Sequence, residues 1–99
     1  PQAKKCDAIM GIVEEGQEII KEYKGTHALD AGLLAVAQAV EHYEISRYGT
    51  LVTWGSELGF PKAAKLLKET LDQEYATDDA LTELAESVVN QEAQAEAAE

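Results

Sequence analysis

Two stretches of about thirty residues, around 28–57 and 61–89, repeat their apolar positions at helical spacing, and little more than Gly59-Phe60-Pro61 parts them. A glycine that can end one helix and a proline that can begin the next make a corner, so the chain is constrained to an antiparallel helical pair with arms about 45 Å long. A shorter segment precedes the pair. From Asp7 to Lys24, Ile9, Ile12, Val13, Ile19, Ile20 and Tyr23 keep the same period, weakened by Gly11 and Gly16, with a break expected near Gly16 and a stop at Gly25. Thr26 can cap the second helix, and Asp30 suits the positive end of its dipole. Gly49 and Gly55, inside that helix, each cost about 1 kcal/mol against alanine, which signals close packing or a local bend. The short run Thr50 to Thr53 is the one β-like stretch, and its helical context outweighs it. The expected fold is all-α, with helices over about 7–24, 28–57 and 61–89 forming one unit across 1–90. Residues 91–99 are acidic and hold no large apolar side chain, so a frayed helix end or a disordered tail is expected there.

The apolar stripes carry acid. At about 100° per residue from Val40, Leu33 and Leu51 lie at about 20°, Glu44 at about 40°, Tyr48 at about 80° and Glu41 at about 100°. His42, at about 200°, is expected to face the surface. Measured from Glu74, Leu67 and Ala85 lie at about 20° and Asp78 at about 40°, which sets Glu74 and Asp78 in the middle of the third helix's stripe. In a pair that turns at Gly59-Phe60, residues whose numbers sum to about 118 to 120 share a height, so Glu44 comes level with Glu74 and Glu41 with Asp78. Four ionised carboxylates in a dry core are too costly to stand alone. They must be protonated, hydrated, paired with a base such as Arg47, or bound to a cation.

Oxygen ligands projecting into a helical bundle suit iron and manganese. The competing reading is that acidic helices often place a glutamate at the edge of a core, where a lysine or water neutralises it. Tyr43 and Tyr48 flank the candidate ligands, either as hydrogen-bond donors to a carboxylate or as packing residues. Trp54 reads as core or subunit contact, Cys6 as a small buried hydrophobe, and His27 has no evident partner.

Nineteen acids against eight Lys plus Arg give a net charge of −11, a poor match for nucleic acid or an anionic membrane and a better one for cations, metal ions included. No apolar run nears the roughly 18 residues of a membrane span, and no signal-peptide pattern opens the chain. The single cysteine cannot form an internal disulfide, which fits the cytoplasm. No phosphate loop, CxxC pair, nucleophile elbow or HExxH is present, and two histidines, one facing outward, suit a zinc hydrolase poorly. Pro1 is not a natural start, so PQAKK reads as the opening of a fragment.

VEHYEISRYGTL, followed by the hairpin and LLKETLDQEYATDDALTELAE, resembles the ferritin-like YciE/YciF family of bacterial stress proteins. KKCDAIMGIVEEGQEII is similar to that family's segment between its two helical hairpins, so the resemblance runs to Asn90. It implies a ferritin-like four-helix bundle related to di-iron carboxylate proteins, cytoplasmic, often dimeric and expressed under stress. By this resemblance the chain holds the connecting helix and the third and fourth bundle helices but lacks the first two. A homodimer is therefore expected, since a lone hairpin would leave an apolar face about 45 Å long in water. Di-iron helices of the ferritin-like kind carry Glu-x-x-His, whereas Glu74-Tyr75-Ala76-Thr77 lacks the histidine and has Asp78 one place later. The expected ligands are Glu44 and Glu74, then Glu41 and Asp78, holding a pair of iron or manganese ions. The alternative is a metal-free helical structural or oligomerisation module. An oxygen- or peroxide-reducing enzyme would need a redox metal pair besides, and no catalytic residue is assigned.

Overall fold

The computed structural model describes residues 3–99, and the reading of Pro1 as an unnatural start lies outside them. Helix α1 spans Asp7–Glu22, α2 His27–Glu57 and α3 Pro61–Leu84; a π-helical stretch, Ala85–Val89, joins α3 to α4, Asn90–Ala97. Among the described residues no strand occurs and no helix is long and apolar enough to cross a membrane.

Both connections use a glycine in the left-handed region, Gly25 at φ 79° and Gly59 at φ 81°, which a side chain would strain. At the second corner the Phe60 N–H donates to the Gly55 carbonyl at 2.8 Å and the Gly59 N–H to Ser56 at 3.2 Å, closing the last turn of α2 in a Schellman motif. Pro61 then opens α3, where its missing N–H leaves nothing unpaired. The antiparallel pair follows from those three residues.

Helix α2 is the middle of the layer, with α1 on one flank and α3 on the other; among the described residues α1 and α3 do not touch. Small residues mark the close approaches. A Cβ at Gly32 would stand 2.8 Å from Ile19 Cγ2, one at Gly16 3.4 Å from Val36 Cγ1, and one at Gly55 3.4 Å from the Ala64 Cβ. The expected break in α1 is therefore absent, because Gly16 is buried as a contact point rather than spent as a hinge. Gly55 bears out the expected close packing, whereas a Cβ at Gly49 would meet nothing within 4 Å, and α2 continues through it.

The C-terminal tail is helical to Ala97, in place of a frayed or disordered end. Its docking explains this. The Glu96 carboxylate accepts the His27 backbone N–H at 2.8 Å, and Glu92 lies 3.7 Å from His27 Nδ1, so acid from α4 meets an unpaired donor at the positive end of α2. Thr26 occupies the N-cap position but does not cap: its hydroxyl donates back to the Tyr23 carbonyl at 2.7 Å.

The molecule measures 59 × 32 × 13 Å. Its short dimension is about the diameter of one helix with its side chains, so the helices form a single layer. Leu34, Ala64 and Ala85 are the buried apolar residues among those described, while Leu51, Trp54, Leu58 and Leu66 are exposed. Trp54 is thus no core residue of this chain.

Candidate metal centre

Glu41 and Glu44 reach the seam between α2 and α3 from one side and Glu74 from the other, each half-buried, with one carboxylate oxygen apiece lying within 4.8 Å of the others. Equal height about the corner brings Glu44 to Glu74, as the residue numbers require. The expected second pair is different. Asp78 is not in the cluster; its Oδ1 lies 2.9 Å from His42 Nε2 and accepts from Gln38 Nε2 at 3.4 Å, and Gln38 also donates to the Thr82 hydroxyl at 2.7 Å. Helix α3 lies on the flank of α2 rather than over its apolar stripe, so the step of about 40° from Glu74 to Asp78 carries that side chain toward the polar back of the layer. His42, expected to face the surface, is 66% exposed but closes this second pair. Gln38 and His42, four apart on one face, were its only sequence signal.

Electrostatically the cluster is unbalanced. No Lys, Arg or His among the described residues forms an ion pair with its three members. Arg47, considered as an internal partner, instead sits 5.2 Å over the Tyr43 ring. Desolvation, with the hydrogen bond and charge of Glu74 beside it, pushes the Glu44 carboxyl above its ordinary value. Glu74 is pushed the same way, first by hydrogen bonding with Glu41 and then by desolvation. Protons shared among neighbouring carboxyls relieve some of the repulsion. They do not satisfy every atom, since Glu41 Oε2 is buried with no hydrogen-bond partner.

That atom tests whether a cation fits. A hard or borderline ion with metal–oxygen bonds of about 2.1–2.4 Å bridges oxygens up to about 4.2–4.8 Å apart, so the three carboxylates can share one with small side-chain adjustments. The donor set is all oxygen. Neither histidine belongs to it, in keeping with the missing Glu-x-x-His.

The Tyr43 hydroxyl lies 3.2 Å from Cys6 Sγ, across the α1–α2 flank and away from the glutamates. Cys6 is exposed rather than a buried hydrophobe, and this contact, with the backbone N–H of Ile9, holds its thiol below the usual range. Nothing in the spacing of residues 37 apart announces such a contact.

Residues 1–94 match the family described as Domain of unknown function (DUF892). The chain belongs to that family. This DUF892 chain is 53% identical over 90 residues to Protein YciF of Escherichia coli (strain K12), a stretch that covers 91% of the chain and 54% of the relative. Its fold is similar to the crystal structure of the E. coli stress protein YciF, with a TM-score of 0.84 at 53% sequence identity, covering 90% of this chain and 56% of that one. The resemblance read from VEHYEISRYGTL and its neighbours is thus a family relationship. The chain spans about half the length of the curated relative it matches.

Proposed function

We propose that this DUF892 chain is a ferritin-like stress-response protein of the cytoplasm whose Glu41, Glu44 and Glu74 hold iron or manganese. The supporting observation is Glu41 Oε2, a buried acceptor without a donor, set among carboxylates that no base neutralises. The similar E. coli protein YciF is a stress protein, and the stress role rests on that likeness. In this reading Glu44 and Glu74 bind the ion from opposite helices, and Glu41 supplies a third oxygen. A bound redox ion would supply one-electron chemistry, and no reaction is assigned to it. Asp78 takes no part as a ligand because His42 and Gln38 hold it on the other side. A second copy completes the layer to a four-helix bundle and provides the further ligands that a pair of ions would need.

The second reading, a metal-free structural or oligomerisation module, is favoured by the raised Glu44 and Glu74 carboxyls, since protonation can relieve their crowding without any ion. Thermal melting of the chelated chain, with and without added Fe²⁺ or Mn²⁺, separates the two. Metal binding raises the melting temperature, and Glu44→Ala with Glu74→Ala abolishes the rise. An unchanged melting curve for the parent chain rejects the metal reading.

A further inference from the structure

Helix α4 is fastened to α2 through one residue. It buries none of its own side chains, and a helix of eight residues is marginal in water when alone. Its two polar ties to α2 both end on His27, whose backbone N–H donates to the Glu96 carboxylate at 2.8 Å and whose Nδ1 lies 3.7 Å from Glu92 Oε2. The ties differ in kind. The backbone bond needs only an ionised Glu96, whereas the Glu92 contact is an ion pair only when the imidazole holds a proton.

The surroundings set the sign. Glu92, Glu96 and Glu99 line the cleft beside His27, and among the described residues no Lys or Arg lines it. Asp30, one turn along α2, adds acid from His27's own helix. A protonated imidazole therefore meets negative charge from both helices, while a neutral one leaves the carboxylates without a counter-charge. Histidine is the side chain whose charge changes between about pH 5 and 8. The ion pair is made in mild acid and lost as pH rises through that range. The joint to α3 is π-helical, Ala85–Val89, and there the Glu86 carbonyl accepts from the Gln91 side chain at 3.1 Å. Helices kink at such interruptions, which recur at functional sites. Ala85 is buried, so the near end of the joint is anchored and the far end carries α4.

We infer that α4 is a pH-sensitive latch, hinged at Ala85–Val89 and closed on the N-terminus of α2 by protonated His27. Closed, it caps the first turn of α2; open, it frees the His27 N–H and releases the acidic tail into solvent. Both members of the ion pair are half-exposed, and exposed pairs shift an equilibrium by about two- to fivefold. The latch is therefore graded.

The test is millisecond hydrogen exchange of the 99-residue chain at pH 5 and pH 8, expressed as protection factors so that the intrinsic pH dependence of exchange cancels. The comparison is His27→Gln, which keeps the backbone donor for Glu96 and cannot take a proton. Across Asn90–Ala97 the parent should be protected about two- to fivefold more than His27→Gln at pH 5 and equally at pH 8. Glu92→Gln should lower protection at pH 5 in the same way. Glu44 and Glu74 also make stability depend on pH, and His27→Gln retains that background, so the difference between the chains isolates the latch. Unchanged protection across Pro61–Leu84 shows that the variants fold and that opening stops at the hinge. Equal protection of parent and His27→Gln at pH 5 overturns the latch. A difference of the same size at both pH values overturns the imidazole charge as the closing force, and one that spreads through α3 overturns the hinge.

Discussion

Glu74 sits between Glu41 and Glu44, so Glu74→Gln should stabilise the metal-free chain while removing its response to metal. Oxygens of the three residues lie within 4.8 Å of one another. At that separation two unit charges repel by about 1 kcal/mol in water and about 3.5 kcal/mol at an effective dielectric constant of roughly 20. The groups are half-exposed and screened by solvent, so the lower limit applies, and the expected gain is about 1 kcal/mol, or roughly 4–8 °C in melting temperature for a chain of this length. The pH dependence fixes the cause. Glu44 and Glu74 titrate above their ordinary 4.5 in the folded chain. Their contribution to stability is therefore fully present below 4.5 and is lost as pH rises through the raised values. Thermal melts by circular dichroism in chelator, at neutral pH and below 4.5, should show the glutamine variant ahead at neutral pH and level with the parent in acid. A variant less stable than the parent at neutral pH, or one whose advantage persists in acid, would refute charge crowding as the property of this cluster.

Other substitutions test the frame around it. Gly32→Ala sets a Cβ 2.8 Å from Ile19 Cγ2 and should lose about 1–2 kcal/mol in urea unfolding, overpacking outweighing the better helix propensity. Gly49→Ala meets nothing within 4 Å and should gain up to about 1 kcal/mol in the same measurement. Asp78→Ala removes the contacts to His42 and Gln38 and should lower stability by about 1 kcal/mol or less while leaving the metal-induced melting shift intact, because Asp78 is outside the cluster. Glu96→Ala uncovers the His27 N–H and should cost about 0.5–2 kcal/mol of local stability, seen as faster amide exchange across α4.

The helices were legible because helical periodicity and corner chemistry are local. Gly55 to Pro61 contains every group needed to end α2, reverse the chain and start α3. The tail was not legible: its composition shows no apolar face, and its order comes from Glu96 and Glu92 meeting His27, 69 and 65 positions away in the sequence. Cys6 and Tyr43 meet for a similar reason, as α1 folds back along α2. In the candidate site, Glu44, Glu74 and Glu41 were among the residues expected from counting, whereas setting Asp78 apart from them required knowing which flank of α2 carries α3.

Height along a helical pair follows from a constant rise per residue and a corner at Gly59, so the sequence alone determined that Glu44 comes level with Glu74 in an all-α hairpin. Azimuth is different, because it depends on how α1 and α3 divide the two sides of α2, through close approaches at Gly16, Gly32 and Gly55. Only the tertiary structure decided that the third carboxylate is Glu41, that Asp78 turns to His42, and that the apolar stripe lies open on one face of a layer 13 Å thick.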